Sequence, residues 1–175
     1  MPEPQPLLLG EFTRTLDERY RLAIPDELRE LLNLTSGGCI LAKERIGCIS
    51  LWNPDVWQAK VNMLVEMAKQ KITAGLLEKE TAQVQLLGRL LSTRHERVPI
   101  TDRGRVVIPK GFRQFLGVAP EIPDEPDEPD KPAKKGKPVM VVGAAICVEI
   151  WNPPAWLKYL EQRMPKFRRL VERLS

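Results

Sequence analysis

The side chains of this sequence best suited to a chemical task are two pairs of arginines. Arg19 and Arg21 lie in Leu16-Asp17-Glu18-Arg19-Tyr20-Arg21-Leu22-Ala23-Ile24-Pro25. Arg103 and Arg105 lie in Ile100-Thr101-Asp102-Arg103-Gly104-Arg105-Val106-Val107-Ile108-Pro109, which repeats the first run at an offset of 84 residues. A guanidinium group is a planar fork of donors that fits phosphate oxygens or the O6/N7 edge of guanine. Residues two apart on a strand share a face, so each pair is expected to project one way. A two-stranded ribbon carrying such pairs fits the major groove of double-stranded DNA. Arg14 is expected to extend the first patch and Lys110 the second. One such hairpin would be an ordinary solvated surface; two at a fixed offset point to one repeated binding surface.

Other chemistry has little support. His95 is the single histidine and lies among Arg94, Glu96 and Arg97, where an exposed bystander is the expectation. There is no Gly-rich phosphate loop, no zinc-type spacing of histidine and cysteine, and no carboxylate pattern that demands acid–base work. The expectation is no enzyme, no metal, no cofactor and no small-molecule substrate. Cys39, Cys48 and Cys147 form an odd set without a Cys-x-x-Cys pair. They read as small buried hydrophobes in a reducing cytoplasm. Arg29 and Arg113 match at the same offset but fall in short helices. They are expected to serve structure, folding back onto carboxylates near the turn such as Asp17. Trp52, Trp57, Trp151 and Trp156 sit at helix entries, which favours core packing over base stacking.

The elements that must position the arginines follow from periodicity. Glu11 to Leu22 reads as a strand, a turn near Asp17–Tyr20 and a returning strand through Ile24. Pro25 opens a short helix with Leu28, Leu31 and Leu32 on its apolar face, and Asn33 closes it in a left-handed conformation. In the second copy Pro109 opens, Phe112, Phe115 and Leu116 pack, and Gly117 closes. Ile40–Ala42 with Cys48–Trp52, and Val139–Val142 with Ala145–Trp151, read as hairpins. Asn53-Pro54 caps a helix in which Trp57, Val61, Leu64, Val65, Ala68 and Ile72 recur. After a break near Thr73–Gly75, Leu77, Val84, Leu87, Leu90 and Leu91 are expected to mark the buried face of a second helix. Trp156, Leu157 and Leu160 begin a final helix that Pro165 is expected to interrupt.

Bulk properties agree with a cytoplasmic globular protein that binds an anion. The chain has 175 residues, 43% of them hydrophobic, and a net charge of +4. Met1 to Gly10 has no basic segment before its leucines, so no secretory signal is expected, and no apolar run has the length of a membrane span. The segment Glu121–Pro132 alternates proline with acidic residues, then gives way to Lys134, Lys135 and Lys137. Such composition cannot bury a core, and it reads as a disordered insertion within a hairpin. The C-terminal residues Lys158, Arg163, Lys166, Arg168, Arg169 and Arg173 form a second basic element. A solvated helix end, contacts to flanking phosphates and contacts to a neighbouring subunit are all compatible with it.

The doubled Asp-or-Thr turn, its Ile-Pro strand end, and the Trp-Asn-Pro helix entry after each copy resemble the MraZ family. The resemblance spans about residues 10–165 and includes Leu86-Leu87-Gly88-Arg89-Leu90-Leu91. It implies an α+β fold in which two swapped-hairpin AbrB/SpoVT-type repeats interleave into a small β-barrel. It divides a single domain (1–175) into a first repeat (10–57), a linking helical hairpin (58–93), a second repeat (94–157, with the insertion at 120–138) and a basic C-terminal helix (158–175). It also implies a nucleoid-associated transcriptional regulator, commonly a repressor of the division and cell-wall gene cluster. Such a regulator assembles into a ring-like homo-oligomer on direct repeats of promoter DNA. The family's motif arginine falls on Arg21 and Arg105. Thr101 stands where the motif has aspartate, and Tyr20 where it has glycine. An AbrB-like antitoxin that binds a toxin through its tail and a basic scaffold protein are the competing classes.

Overall fold

The computed structural model describes residues 6–34, 38–74, 77–119 and 136–175, the side chains of 77–80 excepted. Matched backbone angles in its two halves show how the repeat is built. Tyr20 (φ 58°) and Gly104 (φ 72°) turn the chain through the left-handed region at equivalent places. Asn33 (φ 50°) and Gly117 (φ 79°) end the two short helices in the same region. Glycine adopts it freely and asparagine tolerates it. Tyrosine does so at a cost of about 1–3 kcal/mol, which its surroundings must offset.

The first half runs β1 (Glu11–Leu16), β2 (Arg21–Ala23), α1 (Asp26–Leu32), β3 (Cys39–Arg45) and β4 (Cys48–Trp52). Two helices follow, α2 (Pro54–Thr73) and α3 (Leu77–Thr93). The second half runs β5 (His95–Val98), β6 (Arg105–Val107), α4 (Lys110–Leu116), β7 (Lys137–Gly143), β8 (Val148–Trp151) and α5 (Pro153–Leu174). Pro25 and Pro109 open α1 and α4 from the N-cap, with extended backbone, one place before the first helical position that the sequence suggests. Asn53 caps α2, accepting from the amides of Asp55 and Val56, with Pro54 at the first helical position.

The two returning strands do not pair with the strands that precede them. β1 pairs with β7, β5 pairs with β3, and β2 pairs with β6, so the repeats exchange strands. The ladders form a mixed α+β structure with a six-stranded antiparallel sheet, ordered β1-β7-β8-β4-β3-β5, and a two-stranded ribbon of β2 and β6. The sheet itself is not a closed barrel. Its edge strands β1 and β5 do not pair with each other; each instead continues through a covalent turn into the ribbon. One core nevertheless lies under both sheets. Leu22, Ile24, Val106 and Ile108, from in and just beyond the ribbon, join Leu41, Ile49, Leu51, Val141 and Ile150 of the large sheet.

Three expectations are corrected. Along α3, Val84, Leu87 and Leu91 are only half-buried and Leu90 is 49% exposed, so among its described side chains α3 has no fully covered face. The start of α2 is covered, because Trp57 and Val61 pack on Ile40, Ala42, Trp52 and Cys147. α3 has only α2 and the edge strand β5 as main neighbours among the described residues, too little to enclose its apolar stripe. α5 runs on through Pro165 without a break. That position is exposed, so the carbonyl left without its donor is open to water. His95 is the first residue of β5, half-buried against Trp57 with ring centroids 5.2 Å apart, not an exposed bystander.

The acidic segment 121–132 lies outside the described residues. The last residues assigned to the insertion, Lys137 and Pro138, belong to β7 and pair with Leu16 and Thr15. The three cysteines are free and buried, and burial pushes the thiols of Cys39 and Cys147 up to about 12. Thiols held that far from ionisation are inert packing groups.

Candidate nucleic-acid interface

Each arginine pair stands on a turn built by the residue that opens it. The Asp17 carboxylate oxygen Oδ1 accepts from the amides of Arg19 (2.8 Å) and Arg21 (2.9 Å). In the second copy the Thr101 hydroxyl accepts from the Arg105 amide alone, at 3.1 Å. Threonine therefore keeps the turn with one bond fewer. The turns are also locked to each other. Ile24 N–H donates to the Gly104 carbonyl and Ile108 N–H to the Tyr20 carbonyl, each at 2.9 Å. The two left-handed residues thus present their carbonyls to the opposite repeat.

Arg29 and Arg113 complete this exchange. The Arg113 guanidinium lies 4.0 Å from the centre of the Tyr20 ring and donates from Nε to the Ile108 carbonyl. That cation–π contact, with the ring packed against the core, helps offset the strained backbone at Tyr20. Arg29 packs over Gly104 at the matching place, where a Cβ would strike its guanidinium. The structural role expected of both residues holds, but the partner differs. Arg29 pairs with Asp26 at 2.9 Å, and Asp17 is taken by Arg21.

The ribbon then sets the geometry of the candidate interface. Arg21 stands opposite Val107, and Ala23 opposite Arg105. Cross-strand partners share a face, and Arg21, Ala23, Arg105 and Val107 are all exposed. Leu22 and Val106 point the other way and are fully buried. Arg21 and Arg105 are therefore diagonal neighbours, about 7–8 Å apart across the ladder. With Thr101, Asp102, Arg103 and Val107 they line an open cleft of about 320 Å³.

Arg19 and Arg103 sit in the turns and not on strands, so the two-residue period does not relate them to Arg21 and Arg105. Both are exposed, and Arg103 reaches the cleft. Arg14 shares its face of β1 with Phe12 and Leu16. It lies over the Phe12 ring and is not part of the cleft lining. Lys110 is exposed at the first position of α4, also apart from the cleft.

The arginines are not buried in ion pairs. Arg21 Nε donates to Asp17 Oδ2 at 2.6 Å, with the two side chains 43% and 36% exposed. Burial pushes the Asp17 carboxyl up. The Arg21 amide and guanidinium and the Arg19 amide outweigh it and hold the group below the usual carboxylate range. This contact aims the guanidinium while leaving its terminal nitrogens unpaired among the described residues. The side chains of Arg19, Arg103 and Arg105 have no protein partner there either. Such groups can take up phosphate oxygens without first breaking a buried bond.

A second polar cluster, missed in the sequence, spans the pseudo-two-fold axis between β4 and β8. Trp52 Nε1 donates to Ser50 Oγ (2.7 Å), which donates to Glu44 Oε1 (2.6 Å), and Arg94 donates to Glu44 Oε2 (2.7 Å). Trp151 Nε1 donates to Glu149 Oε2 at 2.8 Å, and Ser50 and Glu149 face each other across the ladder. The sequence does carry a signal for it: each tryptophan is preceded by a polar residue two positions earlier, on the same strand face.

Burial raises the Glu149 carboxyl above its ordinary value, with Glu44 adding to the effect and Trp151 and Arg45 opposing it. A raised folded-state value favours folding at low pH, and that stability is lost as pH rises through it. Glu149→Gln keeps an acceptor for the indole without the charge. The substitution should raise the melting temperature at pH 8 and leave it unchanged near pH 4, in thermal scans at both. Equal shifts at the two pH values would contradict this assignment.

The comparisons with known proteins meet this geometry. The family model described as "MraZ protein, putative antitoxin-like" matches residues 7–79 and 96–174. A protein of Syntrophomonas wolfei named transcriptional regulator MraZ is 24% identical over 168 residues, 96% of each chain. Its namesake from Roseiflexus sp. (strain RS-1) is 27% identical over 88% of this chain and 87% of its own. One from Micrococcus luteus is 26% identical over 92% of each. The role in these names is regulatory and not catalytic. With both arginine turns, both short helices and both Trp-Asn-Pro entries inside the matched residues, the chain belongs to the MraZ family.

Proposed function

We propose that this protein is a transcriptional regulator, without enzymatic activity, that binds double-stranded DNA through the exposed face of the β2–β6 ribbon. The observation that carries this reading is the placement of Arg21 and Arg105, from different repeats, on one open face of a two-stranded ribbon. Arg103 and Arg19 flank them on the turns. Arg14 and Lys110 belong to the periphery, where they reach only neighbouring phosphates. The names of the relatives support the regulatory role.

One such patch per chain binds weakly at physiological salt. Association of several subunits into a ring would present repeated patches to direct repeats in promoter DNA and raise avidity. The resemblance favours the division and cell-wall gene cluster, with the protein's own gene in it, as the repressed target, and the cytoplasm and nucleoid as its place. Footprinting on the DNA upstream of the protein's own gene, with native mass measurement of the complex, tests this. The expected result is protection of regularly spaced short repeats by an assembly of several subunits. Uniform protection without spacing would leave a non-specific basic protein.

A further inference from the structure

We infer that α5 pairs antiparallel with α5 of a second copy of this chain. Leu157, Leu160, Met164, Phe167, Val171 and Leu174 follow one another at spacings of 3, 4, 3, 4 and 3 residues. That is the narrow a/d seam of a coiled coil, and a lone surface helix does not need it. Most of the seam is uncovered: Leu157, Met164 and Phe167 are each more than 60% exposed, Leu160 is half-buried, and no residue of α5 is fully buried. At 1.5 Å per residue it extends about 26 Å.

The order of residues selects the partner and the direction. In antiparallel pairs each a position meets a d position of the other helix. Laid against itself, the seam then forms layers of Leu157 on Leu174, Leu160 on Val171 and Met164 on Phe167, each occurring twice about a two-fold axis. Glu161 and Arg168, which flank the seam on one side, then face each other across the interface, also twice. Parallel pairing would instead set Arg163 beside Arg168, with like charges. Arg168 is engaged within its own helix by Glu172, but only at 3.5 Å and fully at the surface, so exchange of partners costs little. Pro165 falls on the outer face and does not obstruct the seam. The two-fold contact is self-closing, and it can join subunits or whole assemblies that are held by other surfaces.

The test uses the full chain without DNA, so its outcome is independent of the reading of the arginine ribbon. Glu161→Cys protein mixed with Arg168→Cys protein should give a disulfide-linked heterodimer under mild oxidation. Each variant alone should give little, and the native cysteines are buried and stay silent. Glu161→Arg and Arg168→Glu should each weaken self-association in sedimentation by about threefold to tenfold. The two reversals combined in one chain should restore it. Phe167→Asp should abolish the cross-link while circular dichroism stays helical. Self-linking of Glu161→Cys protein, or a double reversal as weak as either single one, would overturn the proposal. So would a Phe167→Asp variant of unchanged cross-linking that loses binding to phosphatidylglycerol vesicles, which would make the face a membrane contact.

Discussion

Arg21→Ala combined with Arg105→Ala should leave a folded, assembled protein whose DNA binding responds markedly less to salt. Removing one arginine–phosphate bond lowers the slope of log affinity against log salt by about 0.9. The double variant should therefore lose about 2 from that slope for every subunit engaged. Affinity for promoter repeats should fall by at least two orders of magnitude if several subunits bind together. Stability should barely change, because Arg105 has no protein partner among the described residues and the Arg21–Asp17 pair is exposed. Such pairs contribute about 0–1 kcal/mol. Fluorescence anisotropy across a salt series reads the slope, and thermal melting reads the fold. An unaltered slope would remove the ribbon from the interface. Lys110→Ala and Arg14→Ala serve as peripheral controls, with smaller losses expected of each.

The second large effect concerns the support beneath those arginines. Leu22 sits opposite Val106 on the inner face of the ribbon, and both are fully buried in the shared core. Leu22→Ala should cost about 2–5 kcal/mol in urea unfolding, from reduced burial and the cavity left behind. That is a large part of the usual 5–15 kcal/mol of a folded domain. One residue away from Val106 along β6, Val107 is 46% exposed. Val107→Ala should change stability by about 0.5 kcal/mol or less. If Leu22→Ala unfolded at the same urea concentration as the parent, the ribbon would not be anchored as described. DNA binding by Leu22→Ala should fall with the loss of ribbon order, although no arginine has been removed.

Local sequence is informative wherever a residue type has a backbone meaning. Asn33 and Gly117 can be assigned left-handed helix ends because few residues accept that region. Asn53-Pro54 can be assigned a helix start because the side chain and the ring each serve one helical position. The same reasoning fails at Arg19 and Arg103. It assumes an extended strand, whereas Tyr20 and Gly104 break the alternation by turning left. It also fails for the face of α3, since an apolar stripe shows which side seeks cover and not whether cover exists within one chain. Pro165 reads as a stop because interior proline is costly, yet on an exposed helix that cost is low enough to accept.

The repetition itself, the family and the identity of the matched arginines are present in the order of residues. They rest on local rules: turn chemistry, helix caps and periodicity, which act over a few positions. Which strand pairs with which is not. β2 meets β6 across more than 80 residues of chain, and that choice is made by burial of Leu22, Ile24, Val106 and Ile108 in one common core. Burial carries no direction along the sequence. Only the folded chain could therefore place Arg21 and Arg105, 84 residues apart, side by side on the same face.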